Sequence, residues 1–158
     1  MGSFDTDPAS VYCCCQGTFD GALTFGKSYE VLHFDRDKRQ YRVRGDNGRV
    51  RWFPSYCFSD REPPRLVRWR FDHVPGQQVD PTLIEEVVLE FSDGTFRSLH
   101  VATPEALRAV LDSNPPGLFL PHLFVVPGLS PEQVDQGLRH LEVQGKLRDA
   151  SRPIPDKS

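Results

Sequence analysis

The sequence predicts an α+β protein: an N-terminal all-β unit, then a small antiparallel sheet carrying two helices. Three observations carry this expectation. Short runs of β-forming residues flank Gly-containing turns, most clearly around Asn47-Gly48, the turn chemistry of a hairpin. Ser59-Asp60-Arg61-Glu62-Pro63-Pro64-Arg65 has no apolar residue besides its prolines and separates segments of different pattern. Thr103-Pro104-Glu105 and Ser130-Pro131-Glu132-Gln133 each place a capping residue before a proline, which marks helix starts.

In chain order, residues 1–10 read as a flexible polar arm. Val11 to Gln16 reads as a strand, Thr18 to Phe25 as a Gly-punctuated loop, and Ser28 to Phe34 as a strand with Tyr29, Val31 and His33 on one face. Gln40 to Arg44 and Arg49 to Phe53 form the hairpin around Gly45-Asp46-Asn47-Gly48, and Pro54 to Phe58 closes the unit. After the 59–65 linker, Val67-Arg68-Trp69-Arg70-Phe71 alternates as a half-buried strand with Val67, Trp69 and Phe71 on one face. His73 to Pro81 is a loop. Ile84 to Phe91 and Phe96 to Val101 flank the turn Ser92-Asp93-Gly94-Thr95.

Ala106, Leu107, Val110 and Leu111 make the apolar stripe of a first helix, which ends at Asn114-Pro115-Pro116-Gly117. Leu118 to Val126 reads as a strand broken by Pro121, which favours a sheet edge. Val134, Leu138 and Leu141 define a second helix with Gly145 as its C-cap. The expected order over 66–148 is β-β-β-α-β-α, with 149–158 a disordered tail.

Composition narrows the function classes. The 158 residues are 38% hydrophobic, with eleven Phe and two Trp, enough for real cores and against wholesale disorder. The formal net charge is -3, so the chain-wide basic field usual for nucleic-acid binding is missing. No stretch of about 18 apolar residues predicts a membrane span. Met1 to Asp5 lacks the basic and apolar regions of a secretory signal, so the expected location is cytoplasmic. Gly2 followed by Thr6 fits a loose myristoylation pattern, and Cys13 to Cys15 could take palmitate, but Asp5 and Asp7 oppose an anionic leaflet.

Chemistry-bearing patterns are sparse. Cys13, Cys14, Cys15 and Cys57 lack C-x-x-C spacing, and His33, His73, His100, His122 and His140 show no ligand spacing. Reduced cysteines acting as small hydrophobes are the plain reading. No phosphate loop, dinucleotide fingerprint or nucleophile elbow is present. The expectation is therefore no catalytic residue, no metal and no cofactor. A Cys57 nucleophile beside a histidine stays as the enzymatic alternative. Arg44-Gly45-Asp46 spells an integrin tripeptide, but Gly45 and Asp46 also suit the turn.

Gly21 to Leu32, Tyr41 to Arg44 and Gly48-Arg49-Val50-Arg51-Trp52-Phe53-Pro54-Ser55 resemble, in order and spacing, the SH3 family's loop into its second strand, its distal hairpin and its closing W-x-P-S run. The resemblance covers residues 11–58 and implies a five-stranded SH3-like β-barrel. That family's polyproline groove transfers poorly: Arg39-Gln40-Tyr41 stands at the tandem-Trp position, Cys57 stands where a tyrosine belongs, and Asp20 is the loop acid that remains. Glu86 to Thr95 followed by Ala102 to Leu107 is similar to small bacterial proteins, some of them candidate immunity proteins that block a toxin.

Two readings of function follow. The first is a non-catalytic interaction protein of the immunity type, with another protein as its partner. It would bind through the barrel and the seam where the stiff linker docks it on the α+β half. The second is a nucleic-acid-associated module. If Tyr41, Val43, Val50 and Trp52 face the core, then Arg42, Arg44, Arg49 and Arg51 share the solvent face as an oxyanion-binding ribbon, with Tyr56 exposed nearby. The same ribbon also reads as a solubilising edge. The candidate partner-binding residues are thus Arg42, Arg44, Arg49, Arg51, Tyr56 and Asp20.

Overall fold

A computed structural model describes residues 7–73, 77–114 and 116–155. Gly2, with its lipidation motif, and part of the 73–81 loop lie outside the described residues. The fold is mixed α+β, and the chain divides into two compact units, Met1–Pro63 with Val143–Gly145, and Pro64–Glu142 with Lys146–Ser158. No helix among the described residues is long and apolar enough to cross a membrane.

Among the described residues the first unit holds six short strands: β1 (Ser10–Cys13), β2 (Ser28–Glu30), β3 (His33–Asp35), β4 (Gln40–Arg44), β5 (Val50–Pro54) and β6 (Phe58–Ser59). They form two three-stranded sheets, β2-β1-β6 and β3-β4-β5. No ladder among the described residues closes them into a barrel. Both sheets contribute to one core that includes Val11, Cys13, Leu23, Tyr29, Val43, Phe53 and Phe58.

Three expectations need correction here. The arm ends before residue 10, since Ser10 belongs to β1 and the Ala9 carbonyl accepts from Val31 N–H at 3.0 Å. The single strand over 28–34 is two. Val31 N–H still bonds the first sheet, whereas Leu32 N–H bonds the Arg42 carbonyl at 2.9 Å in the second. Changing sheets within two residues breaks the alternation, so Tyr29 is buried while His33 is exposed. Likewise β1 stops at Cys13. Cys14 and Cys15 N–H both turn to the Cys57 carbonyl, at 2.8 and 3.3 Å, so Cys13 and Cys15 do not share a strand face.

The second unit holds β7 (Leu66–Phe71), β8 (Glu85–Phe91), β9 (Phe96–Ala102), α1 (Pro104–Ser113), β10 (Leu123–Val125), α2 (Pro131–Val143), α3 (Leu147–Ala150) and β11 (Arg152–Pro153). Both helix starts are capped as expected: Ala106 N–H donates to Thr103 Oγ1 at 3.0 Å and Gln133 N–H to Ser130 Oγ at 3.2 Å. Gly145, at φ +68, ends α2, with Lys146 N–H closing on the Leu141 carbonyl at 2.9 Å.

The sheet order is β10-β9-β8-β7, and it is mixed rather than antiparallel. β10 runs parallel to β9 because α1 carries the chain back across the sheet before it pairs. The expected disordered tail is instead paired as far as described. α3 follows α2, and Arg152 and Pro153 pair with β9 beside β10. Arg97 secures this segment by donating to the Arg148 and Ser151 carbonyls at 2.8 and 2.6 Å and to Ser151 Oγ at 2.9 Å.

β7 departs from strict alternation. A register shift between Leu66 and Arg68 inserts one residue, so Leu66 is buried with Trp69 and Phe71 beside it, while Val67 turns outward at 55% exposure. Trp69 and Phe71 pack against this unit's own core, and Trp69 Nε1 donates to Asp135 on α2 at 2.9 Å.

Candidate functional site

The β4–β5 hairpin sets the surface of the first unit. Its turn is held by Gly48 at φ +78 and by Gly45 N–H donating to the Arg49 carbonyl at 2.9 Å. The resulting register places Tyr41 opposite Phe53, Arg42 opposite Trp52, Val43 opposite Arg51 and Arg44 opposite Val50. Residues directly opposite share a face. The core face is therefore Tyr41, Val43 and Phe53, and Arg51 lies on that side with its guanidinium 5.9 Å from the Phe53 ring centre.

The expected four-arginine face is thus divided. The turn length pairs odd positions of β4 with odd positions of β5, so Tyr41 and Val43 cannot share a face with Val50 and Trp52. Arg42 and Arg44 stand on the outer face, Arg51 on the other, and Arg49 precedes β5. Tyr56 is 65% exposed in the 3-10 turn after β5, and Asp20 is exposed in the 18–25 loop. No hydrogen bond, ion pair or ring contact among the described residues joins either one to the arginines.

In place of the ribbon, the register assembles a mixed aromatic and cationic row. His33 pairs with Arg42, which pairs with Trp52, and the His33 and Trp52 rings meet edge to face at 5.6 Å. Trp52 is 40% exposed, and Leu32, next to His33, is 49% exposed. Arg44 continues the face, with one guanidinium nitrogen donating to the Gly48 carbonyl at 2.8 Å. Sequence reasoning missed this row because it assigned Trp52 to the core. The observed register, which pairs Arg44 with Val50 rather than with Arg49, is what turns Trp52 outward.

Asp46 of the tripeptide Arg44-Gly45-Asp46 is occupied elsewhere. Its carboxylate accepts from Thr24 Oγ1 at 2.6 Å, Lys27 Nζ at 2.5 Å and Tyr29 OH at 3.1 Å, and its N–H donates to the Ala22 carbonyl at 2.8 Å. Burial pushes this carboxyl up, but the hydrogen bonds from Lys27, Thr24 and Tyr29 outweigh it and hold it below the usual range. Tyr29 is pushed up to about 12, first by burial. Asp46 is thus a latch between the hairpin tip and the 18–25 loop.

The cysteines are all free thiols. Burial pushes Cys13 and Cys57 each up to about 12 and raises Cys14, so these thiols keep their protons at neutral pH. That is opposite to the activation a Cys57 nucleophile needs. No group of His, Cys, Asp and Glu among the described residues is arranged to hold a metal ion.

The second unit has an open groove of about 920 Å³ between β7 and the start of α2. Trp69, Phe71 and His73 form one wall as a ladder of rings at 5.3 and 5.6 Å, and Pro131, Glu132 and Asp135 form the other. Comparison with protein-family models, curated proteins and solved structures finds no match to this chain.

Proposed function

We propose that the chain is a non-catalytic interaction protein of the immunity type, which masks an acidic patch on a partner protein with the outer face of β3-β4-β5. We read its first unit as an SH3-like arrangement that uses a sheet face in place of a polyproline groove. The observation that carries the proposal is the row His33–Arg42–Trp52, flanked by exposed Leu32 and Arg44. Tryptophan and arginine are the residues that most often dominate protein interfaces, because each combines a large apolar body with a directed polar group. An exposed Trp52 has no core to fill, and two outward arginines favour a carboxylate-rich partner.

Capture from native lysate with the chain and with a Trp52→Ala/Arg42→Ala variant tests this. The proposal expects a protein enriched by the first and lost with the second. Equal enrichment by both would remove this face from the interaction.

A second reading is favoured by the same neighbourhood, since arginines beside an exposed aromatic ring can also hold phosphates and stack a base. Filter binding at low and moderate salt separates the two. Retention of RNA or DNA that falls steeply with salt supports nucleic acid. No retention at low salt ends that reading.

A further inference from the structure

The open side of β7 is the edge of the four-strand path β10-β9-β8-β7. Asp72 N–H bonds the Glu86 carbonyl and Ser92 N–H bonds the Arg65 carbonyl, both at 2.8 Å, which fixes the direction of every polar group along the strand. The main-chain groups of Arg68 and Arg70 turn toward β8, and those of Leu66, Trp69 and Phe71 turn to the edge. At Leu66 that edge is capped from α2: the N–H donates to the Glu142 carboxylate, and the carbonyl accepts from Arg139 at 2.6 Å. At Trp69 and Phe71 the edge groups have no partner among the described residues.

We infer that this uncapped stretch of β7 binds an extended segment of a partner protein that carries lysine or arginine, added as a further strand over the groove. A strand laid against Trp69 and Phe71 satisfies the open main-chain groups, and alternate side chains then enter the groove between the ring ladder and α2. Charge complementarity selects the cation. Glu132 and Asp135 face the groove from α2, and no cation among the described residues pairs with Glu132. Asp135 accepts from Trp69 Nε1 and lies 3.6 Å from Arg139. Arg70 also lines the groove, with its guanidinium 3.6 Å from Asp72. An ammonium or guanidinium group between an aromatic face and a carboxylate gains from both. This site is separate from the outer face of β3-β4-β5 and does not depend on that face binding anything.

The test is a titration of the isotope-labelled full chain, followed by amide NMR, with a capped hexapeptide alternating lysine and valine. A peptide with glutamate in place of lysine is the control. The expected result is shifts of the Trp69 and Phe71 amides with the lysine peptide. Affinity should fall roughly fivefold for the glutamate peptide and for Glu132→Gln, the range of one exposed cation contact. Three results would overturn the inference: no movement of β7 amides at millimolar lysine peptide, equal affinity for both peptides, or shifts confined to β3-β4-β5. Glu132→Gln keeps the side-chain shape on an exposed position, so a lost response there reports charge rather than unfolding.

Discussion

Arg42 and Trp52 stand directly opposite each other across β4 and β5, on the face turned away from Val43 and Phe53. A large aromatic ring and a guanidinium therefore share solvent, although both lie in a hairpin whose other face buries Val43 and Phe53.

That placement separates stability from binding. Trp52→Ala removes a ring that fills no core, so urea unfolding should shift by no more than about 0.5 kcal/mol. Phe53→Ala, one position along and fully buried, should cost about 3–5 kcal/mol. Similar losses for the two variants would show that Trp52 is structural.

The Asp46 latch predicts a pH-dependent contribution. Its carboxyl is held below its ordinary value. The stabilisation is therefore complete above the unfolded value of about 3.9 and is lost as pH falls through the folded one. Asp46→Ala should cost about 1 kcal/mol at pH 7, kept small by solvent screening. The gap to the native chain should narrow as pH falls through the lowered folded value. Urea midpoints across this range measure it, and a gap independent of pH contradicts the latch.

Arg97→Ala should release the α3–β11 segment. It removes three hydrogen bonds to Arg148 and Ser151, leaving the carbonyls at the end of α3 short of donors. The Ile154 N–H, bonded to the Phe96 carbonyl at 3.1 Å, should then exchange with deuterium at least about tenfold faster. Unchanged protection at Ile154 would mean that strand pairing alone holds the segment.

The cysteines should be sluggish. Buried Cys13 and Cys57, each pushed up to about 12, should react with a thiol reagent at pH 7.5 only after unfolding. Rapid native labelling of Cys57 would revive a nucleophile.

Much of the architecture was legible where local chemistry decides it. Thr103 and Ser130 cap their helices because their hydroxyls accept nearby backbone N–H groups, and the turns at Asn47-Gly48 and Asp93-Gly94 need residues that tolerate positive φ. What alternation alone could not supply was register. The Leu66–Arg68 bulge expelled Val67, the change of sheets at Val31 and Leu32 turned His33 outward, and the hairpin's pairing moved Trp52 from the expected core to the surface. The His33–Arg42–Trp52 row depends on two such events, so it was invisible to a pattern of alternating residues. The tail was misread for a related reason: Arg152 finds Ser98 and Glu86 only once β8 and β9 are paired.

The most direct measurement of the central proposal is calorimetric titration of the captured partner against the native chain, Trp52→Ala and Glu132→Gln. Trp52→Ala should lose at least about 2 kcal/mol of binding, the cost of removing an interface-dominating residue. Glu132→Gln, in the other unit, should leave the affinity for that partner unchanged. Wild-type affinity in Trp52→Ala, with its fold intact, would contradict the account.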